Sequence, residues 1–496
     1  MFAQAQNSLP SLGDPEAAGF TIGTERKLGD RIMREIRVDP DYLDDPLLLE
    51  YMQSLWQALV TQARTRGEIA GDIDARFAWE IFLVRDASIN AFALPGGYVG
   101  VHLGLVGLTA TRDELASVLA HELSHVTQRH IARSIATSKR QSLLSMAALV
   151  AGLLAASRAR SADAANAVIV GTQAAAVQGQ LNFSRDMERE ADRVGFALLS
   201  GAGFAPGGMA AMFEKLDQGS RLNDSGGFPY LRSHPLTTER VGEARSRLGT
   251  AAPTAPVTVL EHAIAQARAR VLMDPRDDAR RRWQALDRDR TAVQVGDRLL
   301  SAYSSGLAST LLRDWGRADA AIATALGLVR EGPERSARAE RAVRLLQVES
   351  LLARGAGRRA AQALEPLAGD TSRPVRLALA QVALSLGASA DADTLATRSA
   401  DLQTWVAVHP DDALAWSLLS QLWTRLAQPL RAIRADAEAR AALGDLAGAA
   451  DRLRAGQRLA RSGGTVDFID VSVIDARLRD IENQRKAVAA DEKLGL

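Results

Sequence analysis

Ten residues, His121-Glu122-Leu123-Ser124-His125-Val126-Thr127-Gln128-Arg129-His130, combine types and spacing that could do chemistry. They sit late in a run, 113–133, whose apolar positions Leu115, Val118, Leu119, Leu123 and Val126 recur at helical spacing, so an amphipathic helix is expected. Residues four apart share one helix face, which lets His121 and His125 aim two imidazoles at a single ion. Glu122, beside the first, stands where a general base for an attacking water is needed. This is the H-E-x-x-H arrangement of zinc hydrolases, with two ligands and a base supplied by one turn of helix. With seven His in 496 residues the pattern is a rare accident. The bland alternative, a polar helix face that happens to carry two histidines, loses ground to residues further along. His130, nine residues past His121 on a straight helix, is expected to face away from the pair and lie on the surface.

Two histidines leave a catalytic zinc one protein ligand short, and a carboxylate from a second helix is a common third. The stretch Asn182-Phe183-Ser184-Arg185-Asp186-Met187-Glu188-Arg189-Glu190-Ala191-Asp192 continues as a helix through Val194, Ala197 and Leu198 and offers Glu188 and Glu190. Glu188 and Asp192 lie four apart on one face, so Glu188 can bind the metal while Asp192 orients a ligand from behind. Glu190 projects elsewhere. Further on, Ser233-His234-Pro235-Leu236-Thr237-Thr238-Glu239-Arg240 precedes a helix running to Leu248. Pro235 sets a turn and the threonines can cap that helix. His234 could reach the cleft as a ligand or hydrogen-bond donor and Arg240 as an anion stabiliser. Spacing alone reads this stretch as a helix start with a surface histidine.

These groups need elements to position them. Residues 77–84 are rich in aromatic and branched side chains and read as a strand. The Pro95-Gly96-Gly97 centre of 90–101 marks a turn between two more strands, which places a hairpin directly before the histidine helix. An exposed edge formed by Asn90, Ala91, Phe92, Ala93 and Leu94 could pair with an extended substrate backbone whatever its side chains; a plain structural hairpin is the alternative. Upstream lie a polar lead-in with one helical stretch, 24–36, and a helix opened by Asp45-Pro46 with Leu47, Leu48, Tyr51, Leu55 and Leu59 as its apolar stripe. Two uncharged stretches, 142–157 and 164–181, are interrupted by Gly, Ser, Asn or Gln, and neither has the ~18 uniformly apolar residues of a spanning helix. A buried helical hairpin is expected there, with peripheral membrane contact through 142–181 as the other reading.

A length of 496 residues exceeds one compact domain. The net charge of +1, from 60 basic and 59 acidic side chains, gives no global field for nucleic acid. No cysteine is present, so disulfides and thiolate ligands are excluded. Ala3-Gln4-Ala5 is the small-x-small pattern found before a signal cleavage site, so the first residues are expected to be the remnant of a secretory signal. The small, Pro-rich stretch 251–257 is the best domain boundary. Beyond it come helical pairs. Residues 302–333 match the tetratricopeptide pattern in part, with Gly316 at the turn, Ala321-Ile322 on the second helix and Pro333 at the end. Residues 413–438 match better, with Trp416, Leu419, Ser420 and Trp423 on the first helix and Ala432 on the next. The stretches 338–367 and 373–408 read as degenerate pairs between these. Stacked pairs make a solenoid whose concave face binds partner segments. Beyond Gly464 a short extended piece is expected at 466–474, then an amphipathic capping helix at 475–489.

Taken together, Asn90-Ala91-Phe92-Ala93 with Gly96-Gly97, His121 to Arg129, Ser184-Arg185 with Glu188 to Asp192, and Ser233 to Arg240 make the chain resemble the BepA-type periplasmic metalloproteases. These are zinc peptidases of the minigluzincin class, related to the CAAX prenyl proteases and fused to tetratricopeptide repeats. The resemblance implies an α+β, predominantly helical chain: a gluzincin-type zinc metallopeptidase domain over 1–250, a linker over 251–257, an α-solenoid of tetratricopeptide-like helix pairs over 258–464 and a capping segment over 465–496. It implies one zinc ion per chain on His121, His125 and Glu188, Glu122 as general base, the 90–94 edge as the substrate strand, and His234 near the zinc in a regulatory or catalytic role. It also implies a periplasmic monomer that cleaves misassembled or stalled outer-membrane proteins and assists their assembly, with the repeats recruiting substrate or docking to the outer-membrane assembly machinery. The competing expectation is a repeat-based periplasmic chaperone or scaffold whose zinc domain is latent or structural. Pro95 before the glycine pair and the irregular repeats after Arg338 depart from the family pattern.

Overall fold

The computed structural model describes residues 20–137, 184–222, 227–249, 259–288, 294–331, 336–387, 390–461 and 467–493. The expected signal remnant, the apolar stretches 142–157 and 164–181 and the linker 251–257 lie outside these residues. The described chain is α+β and predominantly helical, with one small sheet near its start.

Thr21 accepts a hydrogen bond from the Thr24 N–H and starts α1 (Ile22–Arg37). Leu28, Ile32, Met33 and Ile36 are buried at helical spacing, so this helix, expected as part of a polar lead-in, belongs to the core. After β1 (Tyr42–Leu43), Asp45 accepts from the Leu48 N–H at 3.0 Å and Pro46 opens α2 (Pro46–Thr65). Trp56 on α2 is fully buried and its indole N–H donates to the Trp79 carbonyl at 2.7 Å. Then come α3 (Gly71–Arg76), β2 (Glu80–Val84), β3 (Ala91–Leu94) and β4 (Tyr98–His102). The sheet order is β1-β2-β4-β3, with β2 parallel to β4 and β3 antiparallel to it, Ala93 opposite Val99. The β3–β4 turn requires glycine: Gly97 has φ +87°, and a Cβ there would lie 2.9 Å from the Phe77 Cβ.

After α4 (Leu103–Leu108), Thr111 caps α5 (Arg112–Thr127), which is followed by α6 (His130–Thr137). The expected amphipathic helix is in fact buried on every side from Glu114 to Thr127. It packs on β3, α2, α7 (Arg185–Gly201) and α8 (Gly207–Leu222). His121, Glu122, Ser124 and His125 are therefore inside the molecule and must find their partners there. Ser184 caps α7, and Gly195 lets α7 approach α5 closely: a Cβ on it would lie 3.1 Å from the Ala120 carbonyl oxygen. That approach carries Glu188 and Asp192 up to His121. The short α9 (Tyr230–Ser233) and α10 (Thr238–Arg247), capped by Thr237, complete this half.

The second half is a series of helices packed on their sequence neighbours: α11 (Leu260–Leu272), α12 (Asp277–Gln284), α13 (Val295–Leu311), α14 (Trp315–Glu331), α15 (Ala337–Ala353), α16 (Gly357–Leu364), α17 (Arg373–Ser385), α18 (Ala392–Val408), α19 (Ala413–Arg425), α20 (Pro429–Ala442), α21 (Leu446–Arg461) and α22 (Phe468–Lys493). Of the expected extended piece at 466–474, the residues from Phe468 on are instead the start of α22. Its branched residues favour a strand, but Ile474, Leu478 and Ile481 lie on one helix face and bury against Leu430, Ala450 and Leu453, and packing overrides propensity.

The two halves share material. On α11, Ala265 and Ala269 belong to the first core while Ile264, Ala267 and Val271 face the helix series. The buried Arg268 donates from Nε to both carboxylate oxygens of Asp45 at 2.8 Å and from Nη1 to Tyr303 Oη and Glu349. Arg373 on α17 likewise bridges Asp44 and Asp412. Beside this junction a cleft of about 1250 Å³ opens between α1, α2 and the later helices, lined among others by Tyr42, Glu80, Trp405 and Asp411. Among the described residues no helix is long and apolar enough to cross a membrane.

Candidate metal centre

α5 presents His121 and His125 one turn apart, and their Nε2 atoms converge to 3.0 Å. From α7, Glu188 brings its carboxylate oxygens to 3.5 Å from each of those nitrogens. From the α9–α10 connection, His234 places Nδ1 3.3 Å from His121 Nε2 and 2.9 Å from Glu188 Oε1. One ligand atom from each of the four residues lies within 4.8 Å of every other, and all four side chains are buried. Imidazole nitrogens and a carboxylate facing inward at these distances offer more lone pairs than protons, and they fit one metal ion.

The contacts also set the charges of the metal-free cluster. Burial opposes charging His121, but hydrogen bonds to Asp192 and Glu188 outweigh it and push the imidazole up to about 10. Burial would raise the Glu188 carboxyl, yet His234 and His121 beside it hold it well below the carboxylate range. The cluster thus attracts positive charge. Burial and the neighbouring His121 hold His125 well below the usual histidine range.

Glu122 points to the same cluster from one residue along. Its Oε2 accepts from the Ala93 N–H at 3.0 Å, while Oε1 lies 3.5 Å from His234 Nε2 and has no hydrogen-bond partner among the described residues. Burial pushes the Glu122 carboxyl above its ordinary value, against the pull of His234 and His121. A carboxylate anchored by one oxygen, with the other turned to the cluster, is suited to accept a proton.

Asp192 lies 2.9 Å from His121 Nδ1, on the side of the ring away from the cluster. Arg240 holds Asp192 with Nε and Nη2 at 2.7 and 2.8 Å, and its Nη1 reaches Glu188 Oε2 at 2.8 Å and the Pro235 carbonyl at 2.9 Å. The guanidinium expected to stabilise an anion is therefore engaged with two carboxylates and a carbonyl.

The residues expected as a substrate edge occupy the free edge of the sheet, but not as an exposed strand. Asn90, Ala91, Ala93 and Leu94 are buried and only Phe92 is partly exposed, because α5 runs alongside and Glu122 takes the Ala93 N–H. His130, expected on the surface, is wholly buried. Arg129 adopts φ +51°, which ends α5 and turns α6 so that His130 Nδ1 comes 2.9 Å from His125 Nδ1. An arginine in a left-handed conformation carries no sequence signal, so the straight-helix projection failed there. His234, which spacing alone placed on the surface, is 2% exposed. Tyr230, which the sequence reading passed over, stacks on the His234 ring with centroids 4.7 Å apart and is buried with it.

Fold and donor set together make a buried centre that fits one metal ion. Residues 53–248 match the family model of Peptidase family M48. The Beta-barrel assembly-enhancing protease of Escherichia coli is 34% identical over 267 residues, 54% of this chain and 52% of that protein. Its counterpart in Yersinia pestis is 36% identical over 50% of this chain and 49% of its own length. The Mitochondrial metalloendopeptidase OMA1 of Schizosaccharomyces pombe is 34% identical over 33% of this chain and 44% of that protein. The chain spans about half the length of the assembly-enhancing proteases it matches.

Proposed function

We propose that the chain is a zinc-dependent endopeptidase of the bacterial envelope, resident in the periplasm, that cleaves misassembled or stalled outer-membrane proteins. The observation that carries this reading is the convergence of His121, His125, Glu188 and His234 beside the anchored Glu122. The relatives named for beta-barrel assembly supply the substrate class.

His121, His125 and Glu188 hold the metal. A bound zinc supplies Lewis acidity toward a peptide carbonyl and toward the attacking water. Glu122 takes the water's proton on Oε1 and returns it to the leaving amine, while the Ala93 N–H keeps the carboxylate from rotating away. Asp192, 2.9 Å from His121 Nδ1, favours the proton on that nitrogen and so leaves Nε2 for the metal. Arg240 fixes Asp192 and Glu188 rather than touching substrate. The backbone of Asn90, Ala91, Phe92, Ala93 and Leu94 pairs with the extended substrate once the edge is uncovered, the Ala93 N–H remaining with Glu122; its place at the end of the sheet supports this. His234 fills the space between Glu188, His121 and Glu122 and keeps the site closed until substrate displaces it, a reading supported by its contacts with all three.

The domain limits proposed are 1–250 for the peptidase, 251–257 for the linker, 258–464 for tetratricopeptide-like repeats and 465–496 for the cap. The repeats recruit substrate or the outer-membrane assembly machinery, a reading supported by the cleft that borders both halves.

Glu122→Gln in the zinc-loaded full chain tests the reading. Zinc content and melting temperature should stay, while cleavage of an unfolded outer-membrane protein should fall by about 10²–10⁴-fold, the usual contribution of a general base. Undiminished cleavage would remove Glu122 from the mechanism. Full assembly function in cells carrying this variant would favour a scaffold.

A further inference from the structure

The geometry points to His130 as a positioning residue for the metal centre: through its Nδ1 it fixes the tautomer and ring angle of His125, with Glu190 and Arg133 holding it in turn. This rests on the reading that His121, His125 and Glu188 bind the metal.

The proton arrangement follows from the contacts. A histidine that gives its Nε2 lone pair to a cation carries its proton on Nδ1. For His125 that proton meets His130 Nδ1 at 2.9 Å, so this His130 nitrogen must be the acceptor. His130 then carries its own proton on Nε2, and that atom lies 3.0 Å from Glu190 Oε2. The same Glu190 oxygen accepts from Arg133 Nη1 at 2.9 Å. One set of tautomers satisfies all three contacts with no proton in conflict.

The two ligand histidines are thus backed in different ways. Behind His121 stands a carboxylate clamped by an arginine, Asp192 with Arg240. Behind His125 a neutral imidazole is inserted before the carboxylate and arginine, Glu190 with Arg133. A carboxylate draws an imidazole proton more strongly than a neutral ring does, so His121 is the more electron-rich ligand and His125 the softer one. The arrangement also explains why His130 is buried and why the chain adopts the left-handed Arg129 between α5 and α6.

The test is zinc affinity of the full chain, measured by competition with a fluorescent chelator beside the melting temperature of the metal-free protein. His130→Phe keeps an aromatic ring at this position but removes the acceptor. It should weaken zinc binding by about 10- to 100-fold, the usual cost of losing a partner behind a ligand, with little change in metal-free melting. His130→Asn places an amide oxygen where Nδ1 was and should recover most of the loss. Glu190→Ala, at a part-exposed position, serves where His130→Phe does not fold, and should also weaken zinc binding. Unchanged affinity in His130→Phe beside a zinc-binding wild type, or equal loss in His130→Phe and His130→Asn, would overturn this inference alone. A wild-type chain that takes up no zinc would overturn the metal reading and this inference with it.

Discussion

His234 Nδ1 stands 2.9 Å from Glu188 Oε1, and the other nitrogen of the same ring is 3.5 Å from Glu122 Oε1. One side chain thus lies between the proposed third ligand and the proposed base. A substrate carbonyl and its attacking water need that space. His234→Ala should therefore raise peptidase activity by about tenfold, the gain expected when an open site goes from roughly 10% to nearly full population. The measurement is steady-state cleavage of a quenched peptide. A fall in rate would make His234 a participant in the chemistry instead of a gate.

Arg268 predicts mechanical unity of the two halves. Its guanidinium is buried and holds Asp45, the cap of α2, together with Tyr303 and Glu349. Arg268→Met leaves the buried Asp45 carboxylate without its partner and should cost about 3–5 kcal/mol. Trp56 and Trp79 report on the peptidase half, and Trp283, Trp416 and Trp423 on the helix series. Denaturant unfolding followed by tryptophan fluorescence should show one transition in the wild type and an earlier one in the variant. An unshifted midpoint would mean that the Arg268 contacts do not hold the junction.

The junction should also loosen in acid. Burial holds His262 down at about 4 although it bonds the Thr109 carbonyl with Nε2 and Tyr51 Oη with Nδ1. With the folded value below the unfolded one, the folded state binds fewer protons. The contribution is complete above about 6.5 and is lost as pH falls through about 4. The difference corresponds to at most about 3 kcal/mol. Melting temperature measured between those limits should fall less steeply for His262→Gln than for the wild type. Parallel curves would remove His262 as the acid-sensitive group.

Legibility in the sequence followed the range of the physics. The spacing of His121 and His125, the four-residue step from Glu188 to Asp192, and the Asp45-Pro46 helix start are local rules of helix geometry, and each element lies where that spacing put it. The hairpin around Gly96 and Gly97 was legible because a positive φ demands glycine. The burial of α5 on every side was not, because which faces a helix hides depends on α7, α8 and β3, distant in sequence. His130 was misplaced by the break at Arg129, and Arg240 by its engagement with Asp192 and Glu188, which spacing cannot reveal. The strand propensity of Val471, Val473 and Ile474 was overruled by packing onto Leu453 and its neighbours.

The most direct test of the account is zinc stoichiometry of the full chain by equilibrium dialysis and elemental analysis, compared between Glu188→Gln and Glu190→Gln. Both carboxylates sit on α7, but only Glu188 belongs to the converging cluster, while Glu190 bonds His130 and Arg133 and retains an acceptor oxygen as Gln. The account predicts one zinc per chain in the wild type, loss of that zinc in Glu188→Gln and its retention in Glu190→Gln. Zinc retained at full affinity in Glu188→Gln, or lost in Glu190→Gln instead, would contradict it.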